Sequence, residues 1–327
     1  MIVVTGGAGF IGSALVWKLN QLGRTDLLVV DELGCDEKWQ NISALRFADY
    51  LHKDEFLRRV EEDRWETRPE AIVHLGACSS TTERDADFLM RNNYRYTRTL
   101  AEWCLARDVR FIYASSAATY GDGDRGYSDD DRATPTLLPL NKYGYSKQLF
   151  DLWALRNGAF DKIVGLKFFN VFGPNEYLKA DMASVVFKAF HQIRAQGVVR
   201  LFKSERPDYP DGGQQRDFIY VKSCVDAIAW LIEHRQVGGL FNLGAGVART
   251  WNDLVRAVFA AMELPARIEY IDLPEALRGR YQYFTQAEMG KLRATGCPVD
   301  FPSLEDSVRD YVREHLQRPR PYLNALG

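Results

Sequence analysis

A chain of 327 residues that is 46% hydrophobic exceeds one average domain and can bury a sizeable core beside a second, smaller lobe. Its formal net charge of −2 and pI near 6.3 give no nucleic-acid or acidic-membrane footprint, and no run of about 18 apolar residues occurs, so a small-molecule partner and no membrane are expected. Five cysteines, at 35, 78, 104, 224 and 297, are odd in number and never in C-x-x-C spacing, which argues against a disulfide framework or a metal site; with no basic leader ahead of the first strand, a cytoplasmic chain is expected.

The first predicted unit is VVTGGAGFIGSALVWKL, residues 3–19. An apolar run ends at Val4, a glycine turn follows, and from Phe10 apolar residues recur at helical spacing, giving strand, tight turn and helix. A helix N-terminus carries unpaired N–H groups and partial positive charge, so bare backbone just before it admits an anion. Gly7, Gly9 and Gly12 match dinucleotide spacing, with Gly6 opening the turn. The next apolar run, LLVVD, ends on Asp31, a carboxylate placed for the ribose hydroxyls of adenosine. A dinucleotide pyrophosphate is the expected ligand of the turn.

Further short apolar runs follow: AIVHLGA, RFIYASS, IVGLKFF and later LFNLG, with helical segments between them. Strands buried on both faces read this way, and the alternation predicts an α/β chain with a Rossmann-type, doubly wound parallel sheet. The pattern is regular to about Phe169. Beyond it come the turn FGPNE, a helix from about Met182 to Gln196 and the loop SERPDYPDGG. FIYV and LFNLG look like returns to the first lobe. Residues 1–170, with returning segments near 217–245, are therefore expected to form the dinucleotide-binding domain, and 171–216 with 246–327 mainly a smaller α/β substrate domain. The SDDD run at 128–131 reads as a solvated loop.

In an open parallel sheet, ligands sit at the carboxyl ends of strands. The fourth run ends in ASSAATYG, placing Ser115 and Ser116 there, and the next helix begins NKYGYSKQLFD. Tyr143 and Lys147 lie four apart and share one helix face. An ammonium beside a phenol is expected to lower the pKa of Tyr143 and make it a general base for an alcohol, with Ser116 holding the substrate oxygen. A hydride acceptor with such a base forms a carbonyl–alcohol redox site.

These stretches resemble the extended short-chain dehydrogenases/reductases and, more closely, the ADP-L-glycero-D-manno-heptose 6-epimerases of lipopolysaccharide biosynthesis. The likeness runs through TGGAGFIG, ADY, GACSSTTE, YASSAATYG, YGYSK, FFNVFGP, KADMASV, RDFIYV and GRYQYFTQA, and so covers most of the chain. TGGAGFIG and YGYSK are generic to the superfamily, whereas ACSSTTE and GRYQYFTQA are particular to the heptose epimerases. The resemblance implies that Phe10, Ile11, Asp31, Glu32, Lys38, Lys53, Leu75, Gly76, Ala77, Cys78, Ser79, Asn92, Tyr143, Lys147, Val171 and Lys179 line the dinucleotide. It implies Tyr143 and Lys179 as two proton carriers, and Asn170, Asp181, Lys188, Phe202, Lys203, Ser204, Glu205, Arg216 and Tyr281 as holders of an ADP-sugar. A homo-oligomer, commonly a pentamer, is also implied.

The chemistry asks for the second carrier independently. An epimerase that oxidises a secondary alcohol to a ketone and reduces its other face needs a proton carrier in each orientation, and one tyrosine serves one of them. Three features depart from the family pattern. Glu32 stands where an uncharged residue is usual and would repel the 2′-phosphate of NADP, while Lys38 and Lys53 attract it, so NADP is expected first and NAD second. The loop before Arg216 is longer, and Asp181 and Lys188 replace small or imidazole side chains. Two other readings stay open: a nucleotide-sugar 4-epimerase or dehydratase of the same superfamily, and a dinucleotide sensor without catalysis. Dehydratases usually add acidic partners beside the serine, and SSAAT offers none.

Overall fold

The computed structural model describes residues 1–65, 67–275 and 281–326, apart from the Asp181 side chain. Gly279 and Arg280 of the GRYQYFTQA stretch lie outside the described residues. In chain order the first half forms β1 (Ile2–Thr5), α1 (Phe10–Gln21), β2 (Leu27–Asp31), β3 (Asp49–His52), α2 (Lys53–Glu61), β4 (Ala71–His74), α3 (Ala86–Leu89), α4 (Tyr96–Arg107), β5 (Arg110–Ser116), α5 (Lys142–Arg156) and β6 (Val164–Phe168). There follow β7 (Asn170–Phe172), α6 (Val185–Gln196), β8 (Val199–Phe202), β9 (Gln215–Tyr220), α7 (Val221–Glu233), β10 (Gly239–Leu243), β11 (Ala248–Thr250), α8 (Trp251–Ala261), β12 (Ile268–Ile271), α9 (Gly290–Ala294) and α10 (Leu304–Asp310).

Seven strands make one sheet in the order β10–β6–β5–β4–β1–β2–β3, and every neighbouring pair is parallel. Successive side chains of a strand point to opposite faces, and the apolar residues divide accordingly. Ile2, Val4, Val29 and Val73 enter one core, Val3, Leu28, Val30 and Ile72 the other. β3 is the strand that the apolar runs do not announce: it is an edge strand in which Leu51 alone is buried.

FIYV and LFNLG part company. LFNLG becomes β10 and joins the main sheet beside β6. FIYV falls on β9, in a small separate sheet between β7, parallel to it, and β11, antiparallel. The chain leaves the main sheet at Phe169, whose N–H still bonds to Leu243 O, and β7 starts at the next residue in a different plane. α7, which follows β9, nevertheless returns to pack on α1. β8 and β12 form a two-stranded parallel sheet.

The glycine turn is shaped first by the chain itself. Gly6 has φ +66°, and a Cβ there would stand 2.6 Å from Gly76 N in the loop after β4. A Cβ at Gly12 would lie 2.0 Å from Gly6 O. Bare backbone is therefore needed for the approach of residues 75–76 and of α1, besides any phosphate.

Residues far along the chain also reach the first lobe. Leu323 N donates to Asn175 Oδ1 at 3.0 Å, Trp17 Nε1 to Asn324 O at 3.2 Å, Ala325 N to Ala44 O at 2.9 Å, and Tyr177 Oη to Pro321 O at 2.7 Å. Asn175 in turn donates to Ser13 Oγ on α1.

Candidate active site

The strand order reverses between β1 and β4, where open parallel sheets bind ligands. There α1 begins at Gly9 with no side-chain cap and no acidic residue in its first turn. Asp31 closes the turn from β2: its carboxylate accepts from Ala8 N at 2.8 Å, Glu32 N at 2.7 Å and Lys38 Nζ at 2.6 Å. An uncapped helix N-terminus beside a strand-ending carboxylate fits a dinucleotide, with phosphate at Gly9–Ile11 and ribose at Asp31. The lysines expected to attract a 2′-phosphate hold acids already. Lys38 pairs with Asp31, and Lys53 Nζ lies 3.3 Å from Glu32 Oε2 and 3.1 Å from Asp54 Oδ1.

The loop Leu75–Ser79 forms the opposite wall. Leu75 N donates to Thr5 O, and Gly76 N to Thr5 Oγ1 at 3.3 Å. Asn93 grips Cys78 from both sides, accepting from Cys78 N at 2.9 Å and donating to Cys78 O at 2.9 Å and Ser146 Oγ at 3.1 Å. Asn92, the residue expected from the resemblance, donates to Asn93 Oδ1. Asn93 was not legible as a site residue. Both asparagines lie in a π-helical turn, Met90–Arg95, between α3 and α4, and neither spacing nor apolar period announces such a turn.

Ser116, Tyr143 and Lys147 converge at the end of β5. A Cβ at Gly144 would sit 2.7 Å from Ala118 O, so the glycine inside YGYSK is what lets α5 approach the Ser116 loop. Lys147 Nζ donates to Ala114 O at 2.8 Å, and the Ser116 side chain is near enough to the Tyr143 phenol to favour its ionised form. The expected lowering of the Tyr143 pKa is corrected here. Burial pushes the phenol up, although part of the residue remains accessible; Ser116 opposes the rise and the charge of Lys147 does not govern it. Burial also pushes Lys147 down to about 8, against Asp151. In this state desolvation outweighs the ammonium–phenol attraction, a balance that i, i+4 spacing cannot reveal.

Lys179 is no solvent-exposed turn lysine. Its Nζ stands 5.2 Å from the Phe10 ring centroid, at the start of α1, and burial lowers its pKa against the pull of Glu176. Glu176 ties the surrounding loop, accepting from Gly173 N at 3.2 Å, Ser184 N at 2.6 Å and Ser184 Oγ at 2.7 Å. Ser184 also caps α6 through Phe187 N, so that helix starts at Val185 rather than near Met182. Lys188 lies on its first turn, partly buried. The Asp181 side chain lies outside what is described.

In the small sheet, Arg216 on β9 is buried at 7% exposure, and burial lowers its pKa. Its guanidinium lies 5.6 Å from the Trp251 ring and 5.5 Å from the Tyr281 ring, and it donates to Gln215 O and Gln282 O. Trp251 Nε1 donates to Tyr281 Oη at 3.0 Å, and Phe202 meets Tyr281 edge-on at 6.1 Å. A cation framed by aromatic faces suits a phosphate joined to a base. Trp251 and Gln282 were missed, because a tryptophan opening an amphipathic helix reads as core. Lys203 pairs with Asp272 at 2.9 Å on an exposed face; Ser204 Oγ donates to Arg206 O, and Glu205 N to Tyr283 Oη. Ser204 and Glu205 open the longer loop, and Lys203 stands just before it at the end of β8, its N–H bonded to Ile271 O. Asn170 is exposed and Val171 partly buried on β7, which pairs with β9.

A nucleotide cradle, a Ser–Tyr–Lys group and a buried arginine in a second lobe define a dinucleotide-dependent sugar-modifying enzyme. The profile of the NAD dependent epimerase/dehydratase family matches residues 2–244. The ADP-L-glycero-D-manno-heptose-6-epimerase of Nitratidesulfovibrio vulgaris (strain Hildenborough) is 60% identical over 323 residues, 99% of this chain and all of that one. That of Fusobacterium nucleatum is 46% identical over 332 residues, again 99% of this chain and all of the relative. The crystal structure of the Helicobacter pylori ADP-L-glycero-D-manno-heptose-6-epimerase superposes with a TM-score of 0.77 at 26% identity, covering 96% of this chain and 95% of that one. The chain belongs to the NAD dependent epimerase/dehydratase family and, within it, to the ADP-L-glycero-D-manno-heptose-6-epimerases. It is an isomerase that uses a nicotinamide dinucleotide.

Proposed function

We propose that the chain converts ADP-D-glycero-β-D-manno-heptose to ADP-L-glycero-β-D-manno-heptose by inversion at C6″, in lipopolysaccharide core heptose biosynthesis. The observation that supports this reading is the placement of two titratable side chains, Tyr143 beside Ser116 at the end of β5 and Lys179 over Phe10 at the start of α1. A nicotinamide dinucleotide held at the glycine turn and Asp31 would supply reversible hydride acceptance for the sugar carbon. Ser116 holds the sugar oxygen, and Tyr143 takes its proton in one orientation. Once the ketone presents its other face, the oxygen meets Lys179, whose lowered proton affinity makes it a readier proton donor than an ordinary lysine. Arg216 grips the diphosphate, and Tyr281 and Phe202 close on the rest of the nucleotide.

Incubation with ADP-D-glycero-β-D-manno-heptose, followed by proton NMR at C6″, tests the reading. Appearance of the L-glycero epimer is the expected result. Epimerisation or dehydration of a UDP-hexose with an untouched heptose would instead favour the sister enzymes, and dinucleotide binding with no turnover of any sugar the sensor.

NADP is the cofactor we propose, with NAD second. Glu32 and Asp54 share Lys53, so Glu32→Asn removes one of the two acids that compete with a 2′-phosphate for that cation. One charge contact is worth about 1.4 kcal/mol, and the variant is expected to shift the NADP-to-NAD ratio of dissociation constants by about tenfold toward NADP. Titration of both nucleotides checks it, and an unchanged ratio would show that Glu32 does not act on the ribose. We also infer a cytoplasmic homo-oligomer, a pentamer on the family resemblance, measurable by light scattering.

A further inference from the structure

The helix that carries Tyr143 and Lys147 also carries a buried charge that proton transfer does not use. Asp151 follows Lys147 by one turn of α5 and is fully buried; Lys167 Nζ, equally buried on β6, stands 2.9 Å from its Oδ2. The same carboxylate accepts from Tyr113 Oη at 2.8 Å and Ser115 Oγ at 2.7 Å, both on β5. Gly165 makes room for this, since a Cβ there would lie 2.5 Å from Tyr113 Oη. Lys167 also donates to Thr119 Oγ1 at 2.6 Å, and Thr119 Oγ1 donates to Ser116 O at 2.8 Å. One ion pair thus reaches the strand end from both sides of Ser116.

Stability alone does not account for such a pair, because well-packed apolar residues of similar volume often replace buried ion pairs without loss. We propose that Asp151 and Lys167 are positioning residues: they lock the Ser115–Ser116 strand end to α5 and so set how Ser116 and Lys147 approach Tyr143. The inference rests on the reading of Tyr143 as a proton carrier. Lys147 is faced on its own helix by Tyr143 and Asp151, from the loop after β4 by Cys78, from β5 by the Ala114 carbonyl and from β4 by His74. Burial holds His74 down to about 3, so it is neutral in the working range. Asp151 is the carboxylate that keeps the proton on Lys147.

The test compares Asp151→Asn, the double variant Asp151→Asn/Lys167→Met, Tyr143→Phe and the wild-type holoenzyme. The double variant leaves no buried unpaired charge and decides the question if Asp151→Asn fails to fold. It is expected to fold and bind dinucleotide, with KM within about twofold and kcat lower by about 10²-fold, the loss typical of reacting groups displaced by about 1 Å. In Asp151→Asn the alkaline limb of the kcat profile should move to lower pH, because Lys147 gives up its proton sooner without the neighbouring anion. Wild-type kcat in the double variant, or a kcat loss matched by equal loss of bound dinucleotide or folded protein, would reduce the pair to a core contact. If Tyr143→Phe turns over normally, the catalytic reading itself falls, and this inference with it. If Tyr143→Phe is inactive while the double variant is not, only the positioning role falls.

Discussion

Tyr143→Phe is expected to slow epimerisation by about 10²- to 10⁴-fold, the usual contribution of a positioned general acid–base group. The ring stays and only the hydroxyl near Ser116 is lost, so folding and dinucleotide binding should be unchanged. Lys147 keeps its bond to Ala114 O in the variant, which makes the defect one of proton transfer and not of helix position. NMR at C6″ measures the rate, and thermal unfolding with nucleotide release checks the fold. A rate near that of the wild type would remove Tyr143 from the mechanism.

Lys179→Met should suppress epimerisation to a similar degree for a different reason. It removes the group over Phe10 that is proposed to serve the opposite sugar orientation, while leaving Ser116, Tyr143 and Lys147 intact. An analogue with an aldehyde at the terminal carbon separates the two defects, since one molecule can be oxidised to the acid as another is reduced to the alcohol. Each variant should lose epimerisation yet keep part of this disproportionation through its surviving carrier. Wild-type epimerisation by Lys179→Met would make Lys179 a structural lysine of the loop that Glu176 ties down.

The strands that build the main sheet were legible where they are buried on both faces, because six runs of apolar residues leave little else for the chain to do. β3 was not, since an edge strand needs few apolar residues. The glycine turn and Asp31 carried their chemistry in their spacing, and YGYSK did so in its order after a strand-ending serine. What spacing could not carry was the balance of desolvation against charge, and so the direction of the Tyr143 shift was misread. Asn93 depends on a π-helical turn, and the framing of Arg216 by Trp251 and Tyr281 on contacts between distant segments. FIYV looked like any buried strand; only the departure of the chain at Phe169 sends it to another sheet.

The contacts of residues 321–325 bear on the order in which the molecule can be completed during translation. Leu323 satisfies Asn175, Asn175 satisfies Ser13 of α1, and Ala325 bonds Ala44, so the nucleotide lobe and the Lys179 loop share one late fastener. A ribosome that has delivered the whole parallel sheet still holds the segment that closes it. Until those residues emerge, the core on one face of the sheet lacks Leu323 and Ala325, while the core on the other face, built from residues no later than Leu240, can already close.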